Sequence, residues 1–187
     1  MDRLWAVWRM KYIEEMKEAR RSGVADDDDR CFFCAGLRFE NGPENLILVR
    51  DADAMIMLNR YPYNPGHLMV APLRHVASPR GLTASESRSL MSLLARAETL
   101  LARAFEPDGY NIGINLGRCA GAGVPGHLHM HVVPRWNGDT NFMPVTGETK
   151  VMVEGLADTY ARLARFVTPD GGDSADAAGG EGGGSGI

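Results

Sequence analysis

The sequence predicts an α+β fold: a mainly antiparallel sheet of about five strands with one long helix packed against it. Three observations support this. Short apolar runs recur between turn signals, at Asn41-Gly42-Pro43, at Tyr61-Pro62-Tyr63-Asn64-Pro65-Gly66 and across the small-residue stretch 117–126. One segment, opening at Thr83, keeps helical periodicity throughout. With 187 residues and 44% hydrophobic content, the chain can bury one ordinary core, which argues for a single folded domain.

Taken in order, residues 1–30 read as an N-terminal aromatic arm and an acidic loop. Leu4, Trp5, Trp8, Tyr12 and Met16 recur at roughly helical spacing, and the four aspartates Asp26 to Asp29 repel one another and resist helix formation. The domain spans residues 31–167. Within it, runs 46–49 and 54–58 flank the polar Arg50-Asp51-Ala52-Asp53 and read as a β-hairpin, and 67–71 forms a third strand. Thr83-Ala84-Ser85-Glu86 is a capping box. Leu90, Leu93, Leu94, Ala97, Leu100, Leu101 and Ala104 form the apolar stripe of the helix that follows, and Pro107-Asp108-Gly109 stops it. Strands 110–116 and 128–133 flank the loop 117–126, and a second helix covers 153–166. The tail, 168–187, is Gly, Ala, Ser and acid, too poor in apolar surface to offset its ordering entropy, and reads as disordered.

The net charge of -4 spreads no basic field, so binding of long nucleic acid is not expected and phosphate recognition must be local. Without a signal-peptide pattern or a long apolar run, the chain reads as cytoplasmic with no membrane span. Three cysteines, an odd count, fit reduced thiols or a metal site better than a disulfide framework. Cys119 reads as a small apolar residue.

The chemistry concentrates in His127-Leu128-His129-Met130-His131, where a period of two puts the three imidazoles on one strand face and sends Leu128, Met130 and Val132 into the core. A neutral imidazole is a good nucleophile near pH 7 and a competent leaving group, so it can form a phosphoramidate at a nucleotide α-phosphorus. Flanking donors would stabilise the oxygens of the five-coordinate transition state. A metal-binding histidine face and a merely solvated strand face are the alternatives. Cys31-Phe32-Phe33-Cys34 has the spacing that lets two thiolates reach one tetrahedral ion, with His75 and His127 available as further ligands; two reduced, partly buried thiols are the alternative.

The triad segment resembles the signature of the histidine-triad family. The likeness extends over residues 59–72, through Leu4-Trp5-Ala6-Val7-Trp8-Arg9-Met10, and through Pro134-Arg135-Trp136-Asn137-Gly138-Asp139-Thr140-Asn141-Phe142, and is greatest to the branch with bacterial diadenosine tetraphosphate phosphorylases. The resemblance implies that His129 is the nucleophile, that His131 contacts the α-phosphate, and that His67 closes the pocket. It implies that Asn59 binds the ribose hydroxyls, where an amide both donates and accepts, and that Asn115 lies near the phosphates. It implies a structural zinc held by Cys31, Cys34, His75 and His127, no organic cofactor, and a homodimer that extends the sheet. Gly123 departs from the family pattern: relatives commonly carry Ser or Gln there, so only a backbone N–H remains to hold the leaving oxygen.

The function implied is cleavage of a dinucleoside polyphosphate through a nucleotidyl-histidine, with phosphate or water as acceptor. A phosphoramidase using the same histidines, and a nucleotide-binding module with little turnover, are the alternatives.

Overall fold

The computed structural model describes residues 31–140 and 152–167. The arm and acidic loop of residues 1–30 and the tail 168–187 lie outside the described residues. The hairpin forms as the sequence predicts: β1 (Ile47–Arg50) pairs antiparallel with β2 (Ala54–Leu58). Asp51 closes it, because its carboxylate accepts the backbone N–H groups of Asp53 and Ala54 at 2.8 and 2.6 Å. β3 (Leu68–Pro72) pairs with β2, β5 (Met130–Arg135) pairs with β3, and β4 (Gly109–Ile114) pairs with β5. The result is a five-stranded antiparallel sheet in the order β1-β2-β3-β5-β4.

Among the described residues, two longer α-helices pack with this sheet and one short α-helix carries the cysteine pair. The helix α1 (Phe32–Gly36) was not predicted; its two ends carry different tasks. Arg50 donates to the carbonyls of Gly36 and Leu37, and Asn45 donates to that of Gly36, so the C-terminal carbonyls are satisfied by side chains from β1 and the turn before it. The N-terminal end carries the cysteine pair.

The long helix α2 (Ala84–Phe105) has the predicted capping box, with Thr83 and Glu86 exchanging bonds. Its predicted stripe is the buried one: Leu90, Leu93, Ala97, Leu100 and Leu101 all enter the core against β2 and β3. Each such leucine contributes about 1.5–3 kcal/mol by leaving water. The last helix, α3 (Leu156–Ala164), is shorter than its predicted span. Gly155 is its N-cap and Val153 is 84% exposed, so the apolar character of Val153 reflects no burial.

Gly66 joins the turn 61–66 to β3 in the left-handed region, at φ 77°. A Cβ there would meet Leu101 and Phe105 at 3.0 and 3.1 Å, so both conformation and space call for glycine. This close approach seats the start of β3, and with it His67, on α2. β4 is the outermost strand on its side of the sheet, and its Ile112 and Ile114, with Leu116 beyond it, are exposed at 46%, 38% and 46%. No helix among the described residues is long and apolar enough to cross a membrane.

Candidate active site

The predicted alternation places the triad rings. Leu128 and Val132 are buried on one side, while successive rings of the three histidines lie close to one another or to a shared neighbour on the other. Two details differ from expectation. The regular strand begins only at Met130, and Met130 is half-buried rather than core, because it lies opposite Ile114 of the outermost strand.

Each ring has hydrogen-bond partners that fix its tautomer. His127, 1% exposed, lies 2.8 Å through Nε2 from the carbonyl of Pro72, which can only accept. Its Nε2 therefore carries the proton, and its bare Nδ1 faces Cys31 Sγ at 3.3 Å and Cys34 Sγ at 3.5 Å. His75 Nδ1 lies 3.4 Å from Cys34 Sγ. The four donor atoms all fall within 4.8 Å of one another. A tetrahedral ion with zinc-like bond lengths needs ligand-to-ligand separations of about 3.5 Å, so these residues fit a metal of that class. The carbonyl behind His127 is the kind of outer partner that orients a ligating imidazole.

His129, 4% exposed, donates from Nδ1 to the carbonyl of His127 at 2.8 Å. Its Nε2 consequently keeps a lone pair. Burial pulls the His129 imidazole below its ordinary range, against the smaller opposite effect of that carbonyl, so the neutral form prevails at neutral pH. This is the protonation state a nucleophile requires.

His67 is buried at the start of β3, and its Nδ1 accepts the backbone N–H of Tyr63 at 3.1 Å. In the neutral ring the proton therefore sits on Nε2, which donates to His131 Nδ1 at 3.0 Å. His131 then carries its proton on Nε2, 3.5 Å from the Asn115 side-chain amide, whose oxygen is the end able to accept that proton. Asn59 stands beside His67, its Nδ2 3.4 Å from the ring, while its Oδ1 accepts the N–H of Tyr61 at 2.9 Å. The structure thus brings His67, His129, His131, Asn59 and Asn115 into one cluster, with Cys31, Cys34, His75 and His127 adjoining it. Gly123 is half-buried and Cys119 exposed in the loop between β4 and the triad.

Sequence reasoning missed two aromatic residues here. Phe33, between the cysteines, is fully buried against the rings of His127 and His129, and Tyr63 stacks on His67 at 4.8 Å. It missed Asn64 as well, 2% exposed, which donates to Pro134 O and Asp139 and ties the turn before His67 to the end of β5. The only sequence signal for Phe33 was its place inside the Cys-x-x-Cys spacing.

Comparison with known proteins agrees with this geometry. The HIT domain family model matches residues 41–138. An AP-4-A phosphorylase of Mycobacterium tuberculosis is 39% identical over 164 residues, covering 88% of this chain and 83% of that protein. A bis(5'-nucleosyl)-tetraphosphatase (asymmetrical) of Schizosaccharomyces pombe is 37% identical over 82 residues, 44% of each chain. Among solved structures, a Zn-bound histidine triad family protein from Mycobacterium smegmatis aligns with TM-score 0.54 and 25% identity, over 74% of this chain and 94% of that one. A hypothetical histidine triad nucleotide-binding protein from Sulfolobus tokodaii aligns with TM-score 0.56 and 26% identity, over 72% and 87%. The chain belongs to the HIT domain family, and the matched residues include the alternating histidines 127, 129 and 131.

Proposed function

We propose that the protein cleaves dinucleoside polyphosphates by way of a nucleotidyl-His129 intermediate. The observation that carries this reading is the tautomer of His129: Nδ1–H bound to the His127 carbonyl, Nε2 bare, in a buried ring beside two further imidazoles. Its support from outside the chain is the likeness to an AP-4-A phosphorylase over most of both sequences.

In the first step the Nε2 lone pair forms a bond to the α-phosphorus as the bond from that phosphorus to the bridging oxygen breaks, and the leaving nucleoside polyphosphate takes the electron pair. In the second step an oxygen of inorganic phosphate, or of water, bonds to the phosphorus and the P–N bond breaks. Phosphate yields a nucleoside diphosphate and water a monophosphate. The Nε2–H of His131 is the donor for the phosphoryl oxygens, and His67 keeps that proton on Nε2 by filling Nδ1. Asn59 serves the ribose hydroxyls and Asn115 the phosphate side. With Gly123 in the loop, backbone N–H groups must take the part of a side-chain donor there.

The metal we assign to Cys31, Cys34, His75 and His127 is zinc. Four protein ligands would leave no open position, so the ion would have a structural role, with His127 orienting the triad strand, and would activate no water. The exposed apolar residues of β4 suit pairing with a second copy of the chain that would extend the sheet.

Product analysis with diadenosine tetraphosphate tests the reading. Phosphate-dependent release of ADP and ATP, lost in His129→Ala while nucleotide binding persists, is the expected result. AMP and ATP without phosphate would make the acceptor water. No turnover by either route would overturn the substrate class.

A further inference from the structure

Six rings stand in sequence across the site. Phe32 stacks on Phe33 at 4.1 Å, Phe33 meets His129 at 5.2 Å, His129 meets His131 at 5.0 Å, His131 meets His67 at 5.1 Å, and His67 meets Tyr63 at 4.8 Å between ring centroids. In this series His129 has two ring neighbours: Phe33 lies against it, tilted by 35°, and His131 stands edge-on to it, at 78°.

These neighbours answer a mechanical need. The Cβ–Cγ bond and the hydrogen bond from Nδ1 to the His127 carbonyl locate one edge of the His129 ring but leave its plane able to swing about that edge, which moves Nε2. The direction of the Nε2 lone pair is what an in-line attack demands, and misplacement by about 1 Å can cost roughly 100-fold in rate. Phe33 removes the swing because it cannot itself move. It is 0% exposed, it lies between Cys31 and Cys34, it also packs on His127 at 4.7 Å, and the far end of its helix is held by Arg50 and Asn45.

We propose that Phe33 is a positioning residue for the nucleophile, holding the His129 ring in its Nδ1–H orientation and joining the cysteine turn and the triad into one rigid unit. This rests on the reading of His129 as nucleophile. A fully buried Phe33 has no surface to offer a substrate, so its effect falls on turnover rather than on binding.

The test uses the zinc-loaded full chain and Phe33→Leu, which keeps apolar bulk but loses the flat ring. With diadenosine tetraphosphate and phosphate, kcat should fall roughly 10- to 100-fold, while KM stays within about threefold and bound zinc is unchanged. Long-range proton–nitrogen spectra of the histidine rings should show one His129 tautomer in the wild type and a mixture in the variant. An unchanged kcat, a KM that rises while kcat holds, or a single unaltered tautomer would each overturn the proposal. Should Phe33→Leu lose zinc or fail to fold, Phe33→Met, whose unbranched side chain adapts to the same space, is measured in its place under the same criteria. Should the wild type itself prove inactive, the substrate reading fails, and the tautomer comparison alone decides the role of Phe33.

Discussion

Replacing Gly66 by alanine tests whether the close contact between the start of β3 and α2 holds the site. Gly66 has φ 77°, and a Cβ would stand 3.0 Å from Leu101 and 3.1 and 3.2 Å from two atoms of the Phe105 ring. Left-handed strain on a non-glycine residue costs about 1–2 kcal/mol, and the lower entropy of the unfolded alanine chain returns about 0.4–1 kcal/mol. Forcing a methyl group into packed core adds about 1–3 kcal/mol. Gly138 is the internal control, since it has nearly the same φ, 76°, and open space around it. Gly138→Ala should therefore cost about 1 kcal/mol, and Gly66→Ala about 2–4 kcal/mol. For a chain of this size each kcal/mol moves Tm by about 2–4 °C. Urea titrations and thermal scans of both variants measure the difference directly. Equal losses of stability would refute the steric argument, because backbone strain alone would then account for both. The larger perturbation should also reach the site, since His67 follows Gly66 and its 3.0 Å bond to His131 depends on where β3 begins.

Two further outcomes follow from charge and metal. The Arg74 guanidinium, aided by the Thr83 backbone N–H, holds the Glu86 carboxyl down to about 2 from an ordinary 4.5, so its contribution to stability is complete above pH 4.5 and disappears as pH falls through about 2; stability measured across that window should lose much of its slope in Glu86→Gln. Chelation should lower the wild-type Tm, because a ligand present at 100 times its Kd stabilises the fold by about 2.7 kcal/mol, whereas Cys34→Ser, lacking one of the four donors, should melt at the same temperature with or without chelator.

The sheet and its long helix were legible because they depend on local chemistry. The Thr83 capping box, the stripe from Leu90 to Leu101, and the turn residues each act within a few positions of themselves, and each formed as read. The triad was legible because alternation is a local rule too. The boundaries failed where neighbours decide the matter: Met130 is half-buried owing to its partner across an outer strand, and Val153 is exposed beyond the helix cap. What the sequence concealed was long-range. Helix α1 owes its end to Arg50 and Asn45, and Phe33 meets histidines almost a hundred positions away, contacts that no periodicity announces. Asn59 shows a further limit, since its Oδ1 organises the turn at Tyr61 while its Nδ2 stands beside His67, and residue type alone does not separate a turn-forming amide from a binding one.

The placement of the histidines within the sheet also governs how the site is lost. β3 and β5 are paired on both sides, with β2 and β4 as their outer neighbours, and Val70 and Val132 within them are fully buried. Amides of such strands exchange with solvent only when the whole domain opens, whereas loops and outer strands exchange by small local fluctuations. His67 adjoins one of these inner strands and His131 lies within the other, so no partial unfolding can dismantle the pair while leaving the rest folded. Heat inactivation and global unfolding should therefore coincide, while the loop 117–126, with glycines at 117 and 121 in the left-handed region, lies outside this paired frame.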